Sequence, residues 1–272
     1  MTARAVRICG LLACHNRKEK TLACVEAFFA QETSRETDCH AVILDDASSD
    51  GTPEALRHRF PRATLLHGDG RLFWCGGMRQ AWKEASRMDP DYYLLLNDDT
   101  LLRRDALEKL LALAPSPTIS LIAVGAIADP VTGLWNYGGV PTRIGATLDG
   151  TQPRKVRSFN GNCVLIPRLV YQKLGSFHPA YTHALGDYDY GFLATRSGIP
   201  ILETACFVGT CIRDKRGPVW QDRSISRRNR LLLLNSPKGL PYREWWVYCR
   251  RNGGWFWALR WITPTLRILL GL

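Results

Sequence analysis

Three short apolar runs, each stopping on polar or acidic residues, constrain this chain more than any other feature. Val6–Cys14 runs into His15-Asn16-Arg17, Ala41–Leu44 stops at Asp45-Asp46, and Tyr92–Leu96 stops at Asn97-Asp98-Asp99. Between the first two, Lys18–Gln31 carries Leu22, Val25, Phe28 and Phe29 on one helical stripe. After the second, Ser48-Ser49-Asp50-Gly51 is turn chemistry, and Thr52-Pro53 reads as an N-cap followed by proline at the first helical position. A further strand over Ala63–Leu66 and a glycine-rich loop from Gly68 to Gly77, feeding a helix through Ala85, continue the alternation. Strands alternating with helices build a parallel sheet covered by helices on its faces. Such a fold lines up the polar strand ends along one edge, where open α/β sheets bind ligands.

Beyond Pro115 the pattern loosens. Ile119–Ile127 and Phe159–Ile166 read as strands with turn-rich sequence from Asp129 to Pro153 between them, and Gly186–Ser197 reads as a helix. From Arg223 onward the periodicity is helical, over Ser224–Leu234, Tyr242–Arg251 and Trp255–Leu270. The expected organisation is a catalytic α/β domain over 1–210, with a nucleotide-binding half (1–100) and an acceptor half (101–210), followed by a basic, Trp-rich helical extension over 211–272.

Charge separates these parts. Of a net charge of +11, an excess of +10 falls after residue 212, where thirteen basic residues face three acidic ones. That asymmetry points to an anionic partner for the extension. Nine scattered cysteines without a CxxC pair argue against a zinc knuckle, a redox motif or a disulfide framework, and imply a reducing cytoplasm. No stretch reaches the ~20 apolar residues of a membrane-spanning helix.

The acidic strand ends carry the chemistry. Asp45 and Asp46 can accept the imide N–H of a pyrimidine ring, or can merely cap the turn. Asp98 and Asp99, adjacent after a buried strand, suit a hard divalent cation that holds a diphosphate, or a solvated turn. Asp187 and Asp189 head the Gly186 helix, as a general base and a helix-dipole acid or as caps alone.

Taken together, these sites resemble the family 2 glycosyltransferases of the GT-A fold, in their rhamnosyltransferase-like branch. Ala13-Cys14-His15-Asn16-Arg17 is similar to that family's opening T-Y-N-R, Asp45-Asp46-Ala47-Ser48 to its D-D/N-x-S, and Asn97-Asp98-Asp99-Thr100 to its metal motif. Gly76-Gly77 falls in its glycine loop, and Asn160-Gly161-Asn162-Cys163 through Gly198 resembles its acceptor half. The resemblance implies an α/β GT-A Rossmann-like fold and an inverting, metal-dependent transfer from a UDP- or dTDP-type sugar to a glycan or lipid-linked hydroxyl, in cell wall or polysaccharide biosynthesis. It implies donor contacts from Ala13, Asn16, Arg17, Asp45, Asp46, Gly76, Gly77, Asn97 and Asp98. Asp98 and Asp99 would hold Mg²⁺ or Mn²⁺, and Asp187 would be the base.

Gly186 stands where the family often has Glu, and no histidine follows His183, although many relatives place a metal-contacting one near Val208-Gly209-Thr210-Cys211. His183, Trp135 and Asp189 are the candidates for acceptor contacts. Tryptophans interleaved with Arg250, Arg251, Arg260 and Arg267 suit a lipid headgroup boundary, or packing onto the domain or a second subunit. The expected location is the cytoplasm, peripheral on the inner face of the membrane, with a homodimer left open. A nucleic-acid partner is not expected, because the acidic strand ends would repel it.

Overall fold

Residue alternation along the first strand sets the layering of the fold. In the computed structural model, which describes residues 4–142, 148, 150–212 and 217–271, β1 (Val6–Cys14) turns Ile8, Leu12 and Cys14 to one face of a sheet and Cys9, Leu11 and Ala13 to the other. Each face is buried under its own core, as a two-residue period demands of a strand covered on both sides.

The elements follow in order: α1 (Lys18–Phe29), β2 (Thr37–Asp45), α2 (Thr52–Arg59), β3 (Thr64–His67), α3 (Phe73–Arg87), β4 (Tyr92–Leu96), β5 (Leu101–Leu102) and α4 (Ala106–Leu113). Then come β6 (Ile122–Ala128), β7 (Trp135–Tyr137), β8 (Gly139–Pro141), β9 (Arg154–Phe159), β10 (Cys163–Pro167), α5 (Arg168–Leu174), α6 (Gly186–Arg196) and β11 (Ile201–Thr210). The chain closes with α7 (Arg227–Leu234), α8 (Tyr242–Asn252) and α9 (Trp257–Leu270).

The sheet order is β3-β2-β1-β4-β10-β6-β11-β9-β8. From β3 to β11 every strand runs in one direction except β10, which is antiparallel to both β4 and β6. This is the mixed α/β architecture expected, with a mostly parallel central sheet. Helices α1, α2 and α4 supply one core around Phe28, and α3 and α6 supply the other around Trp82.

Three local expectations need correction. Phe159–Ile166 is two strands, because the chain turns at Asn160-Gly161-Asn162; β9 joins β11 while β10 joins β4 and β6. The ten-residue β11 had no counterpart in the sequence reading. Its apolar run is interrupted by Glu203, fully buried and ion-paired with Arg154. Gly76 and Gly77 lie inside α3, not in a loop before it. Gly77 lets that helix approach the sheet: a Cβ there would stand 2.9 Å from both Ala13 Cβ and Leu44 Cδ2.

The extension folds onto the domain. The Glu244 carboxylate accepts the Thr182 amide at 3.0 Å, and Arg251 Nε reaches both Asp189 oxygens at 2.9 and 3.0 Å. Trp245 and Tyr248 stack at 5.5 Å and join Cys75 and Tyr181 in a small third core. Among the described residues no helix is long and apolar enough to cross a membrane.

Replacing Gly77 with valine forces α3 off the sheet. Gly77→Val is expected to lower the unfolding free energy by about 2–3 kcal/mol in denaturant titration.

Candidate active site

Parallel pairing brings the ends of β1, β2 and β4 together, with Cys14 opposite Asp45. Asp46 organises what lies above them. Its carboxylate accepts the amides of Gly70 and Phe73, each at 2.8 Å, while its own amide donates to the Cys14 carbonyl at 2.9 Å. Asp45 accepts the Ser48 amide at 3.1 Å. Asn16 binds the same turn from β1: its amide donates to Ser48 Oγ at 2.9 Å and its side-chain oxygen accepts the Ser49 amide at 2.7 Å. Asn16 and Ala47 take left-handed φ values of 51° and 58°, uncommon for residues with a Cβ. Asp45 therefore caps the turn after β2, whereas Asp46 holds the loop after β3. Asp46 also faces the cleft above it, whereas Asp45 is not among the cleft-lining residues.

At the end of β4, Arg17 Nη1 donates to Asp98 Oδ1 at 3.1 Å and to Asp99 Oδ2 at 2.9 Å. Burial pushes the Asp98 carboxyl up to about 6; Arg17 opposes that rise and Asp99 adds to it. Cys211 Sγ lies 3.4 Å from Asp99 Oδ1, with its thiol pushed up to about 12, mainly by burial. The Asn97 amide donates to the Asn162 carbonyl at 3.2 Å, and its buried side-chain oxygen has no hydrogen-bond partner. An all-oxygen pair of carboxylates, one of them buried and incompletely neutralised, fits a hard divalent cation. Among the described residues no group of three or more His, Cys, Asp or Glu could hold a metal ion, so Asp98 and Asp99 would need a ligand's oxygens to complete the shell.

A cleft of about 510 Å³ opens above these strand ends. Ala13, Arg17, Asp46 and Asp98 form one side, and Phe73, Trp74, His183 and Lys238 also line it. His183 meets Phe73 edge-on at 5.9 Å. Burial, with Lys238 and Arg17 nearby, holds its imidazole below the ordinary histidine range. His183 Nδ1 and Trp74 Nε1 are buried without a hydrogen-bond partner, which is costly unless a ligand satisfies them. Lys238 has no role assigned from sequence alone. The signal for Lys238 was a basic residue in the Ser236-Pro237-Lys238-Gly239 turn between two helical patterns. There the Leu240 amide donates to the Leu234 carbonyl at 2.6 Å and fixes the turn.

Asp187 lies one contact behind Trp74. Its oxygens accept the amides of Gly161 at 2.9 Å and Tyr188 at 2.8 Å, and burial pushes its carboxyl up to about 6. A side chain at Gly161 would strike the Trp74 ring. Asp189, two residues on, faces the extension instead and accepts from Arg251 and Asn252. Trp135 donates to Glu203 at 2.9 Å on the β11 side of the sheet. Of the residues singled out in the sequence, Asn16, Asn97, Asp99, Asp187, Asp189, Trp135, Gly76 and Gly77 do not line the cleft.

The glycosyl transferase family 2 profile matches residues 11–175, more than half of the chain. The chain belongs to this family. Solved glycosyltransferases share its fold. A mannosyltransferase from Pyrobaculum calidifontis, PcManGT, in complex with GDP-Man and Mn²⁺, aligns with a TM-score of 0.63 at 16% identity, covering 99% of this chain and 75% of that one. GalNAc-T7 with UDP, GalNAc and Mn²⁺ aligns with a TM-score of 0.57 at 12% identity, covering 98% of this chain and 56% of the other. No curated protein matches by sequence. The family 2 chain thus carries a GT-A glycosyltransferase fold, with its cleft at the strand ends where the family motifs lie.

The raised Asp98 carboxyl has a stability consequence. Its folded pKa of about 6 lies above the ordinary 3.8, so the stabilising proton is held below pH 3.8 and lost as pH rises through about 6. At neutral pH the buried charge is a liability. Asp98→Asn is expected to raise the unfolding free energy of the ligand-free protein by about 1–3 kcal/mol near neutral pH, with little gain in acid, as read by denaturant titration at both conditions.

Proposed function

We propose that this family 2 chain is an inverting glycosyltransferase that moves a sugar from a UDP- or dTDP-type donor to a hydroxyl of a glycan or lipid-linked glycan. The observation that carries this reading is the pairing of cations and carboxylates at one cleft. Arg17 pairs with both Asp98 and Asp99, and Lys238 lines the same cleft. That set matches a nucleoside diphosphate and a divalent cation together, and would suit neither alone.

In this reading the nucleoside end lies against Ala13 and Asp46, in the turn that Asp45 and Asn16 brace. The diphosphate faces Arg17 and Lys238. A Mg²⁺ or Mn²⁺ ion held by Asp98 and Asp99 would, when bound, act as a Lewis acid on the diphosphate. The Asn97 carbonyl closes the Asp98-Asp99 turn by accepting the Thr100 amide at 3.1 Å. Trp74 and His183 line the cleft on the sugar side.

Asp187 takes the proton of the acceptor hydroxyl as that oxygen bonds to the anomeric carbon. The bond from the anomeric carbon to the diphosphate oxygen breaks on the opposite face, and the electron pair leaves with the nucleoside diphosphate. Arg17 and Lys238 meet the developing charge. A carboxyl poised at about 6 is ionised at neutral pH yet basic enough to accept a proton.

Calorimetric titration with UDP, dTDP and GDP, with and without Mn²⁺, tests the donor assignment. One nucleotide is expected to bind in a metal-dependent way, and Asp99→Asn to abolish that dependence; metal-independent binding unchanged in Asp99→Asn removes the metal assignment. Lys238→Ala is expected to weaken the same nucleotide about tenfold; an unaltered Kd takes Lys238 out of the donor site. For the base, kcat should rise with pH through about 6 and then level, and Asp187→Asn should cut kcat by about 10²–10⁴ with nucleotide binding intact. Retained turnover in that variant moves the base elsewhere.

A further inference from the structure

Helix α9 is apolar on two opposite faces. Pro264 and Ile268 are buried beneath it. At 100° per residue, Leu259, Ile262, Leu266, Leu269 and Leu270 fall within an arc of about 100° on the other side. All five are exposed, and Trp255 and Phe256 extend the face at the start of the helix, at 99% and 75% exposure. An apolar face of this extent, left open beside basic residues, marks an interaction surface.

We propose that this face docks on an anionic lipid bilayer, with α9 lying in the plane of the headgroups. Length excludes a spanning role: fourteen residues reach about 21 Å, against a hydrocarbon core of about 30 Å. Aromatic side chains at one end and leucines along one stripe are the composition of an interfacial helix. Charge selects the partner. Arg260 and Arg267 flank the stripe on α9, and exposed Arg227, Arg228, Arg243 and Arg250 stand on α7 and α8. Arg260 is fixed at that border by stacking over Trp245 at 5.3 Å and Tyr248 at 5.4 Å. A second copy of this chain would bring the same exposed arginines of α7, α8 and α9 to the contact, which opposes self-association through this face, whereas anionic headgroups neutralise them.

The inference does not depend on the glycosyl-transfer reading, and its readout is binding alone. Full-length protein is co-sedimented with vesicles of equal parts phosphatidylcholine and phosphatidylglycerol, and with vesicles of phosphatidylcholine only. Partition onto the anionic vesicles is expected, falling with added salt, with little onto the neutral ones. Leu259→Glu combined with Leu266→Glu should lower the partition by about tenfold or more. Trp255→Ser with Phe256→Ser, at positions packed against almost nothing, should lower it severalfold while Tm and nucleotide binding stay unchanged; this pair keeps the test decisive if the leucine pair fails to fold. Absence of wild-type partition, partition that ignores the surface pair, or a dimer in sedimentation equilibrium that the leucine pair dissociates without any vesicle binding each overturns the proposal.

Discussion

The Asp46 carboxylate holds the site together. A parallel sheet leaves the chain to leave each strand end in a different direction, and nothing in the ladder dictates where those loops go. Asp46 fixes one of them at two points with one side chain: Gly70 and Phe73 donate to its oxygens, so the loop after β3 is drawn back over the end of β2 and α3 begins at a set place. A buried acid that receives two backbone amides has its charge solvated by the protein itself. Because α3 is pinned at its first turn, Trp74 is set above Gly161, and Gly161 in turn presents its amide to Asp187. The loop after β3 and the start of α6 thus share one frame.

Charge is arranged differently at β4. Asp98 and Asp99 receive one guanidinium between them, from Arg17. That is enough to keep the pair folded and too little to bring the buried Asp98 back to an ordinary carboxyl. The remaining deficit is one that a further cation would offset. Lys238 enters the same cleft from the extension, so positive charge also comes from outside the α/β domain. The histidine absent after β11 leaves Cys211 beside Asp99; its thiol is held protonated by burial and suits packing better than ligation of a hard ion.

The sequence made the first half of the fold legible because local pattern and tertiary role agree there. β1 and β4 match the structure residue for residue, and the acid-tipped strand ends do converge. Legibility fails where a residue's partner is distant. Glu203 breaks an apolar run that would otherwise read as a strand, and only Arg154, Trp135 and Gly139 explain its burial. Asn160-Gly161-Asn162 reads as continuing polar sequence within a strand, yet it is where the chain passes from β9 to β10. Asp187 and Asp189 look alike in sequence. Two residues on a helix point about 200° apart, so Asp187 meets the Gly161 turn and Asp189 the extension. The glycine pair at the start of α3 looks like loop chemistry, but Gly77 records how close the helix lies to Ala13 and Leu44.

The extension divides in the same way, between what it buries and what it leaves open. Glu244, Arg251 and the Trp245–Tyr248 stack fasten α8 to the loop before α6 and to α6 itself. The turn that carries Lys238 is braced against α8, since the Tyr242 amide donates to Asn235 at 2.8 Å. A displacement of α8 would therefore move Lys238 and the Thr182–His183 loop together, on the same side of the cleft. Helix α9 packs on this assembly through Pro264 and Ile268, with Tyr242 and Trp261 in contact at 4.5 Å. Whatever surface holds the outer face of α9 is mechanically continuous with the wall of the cleft. Buried Pro264 and Ile268 thus tie the helix that carries the apolar stripe into the same packed unit as that wall.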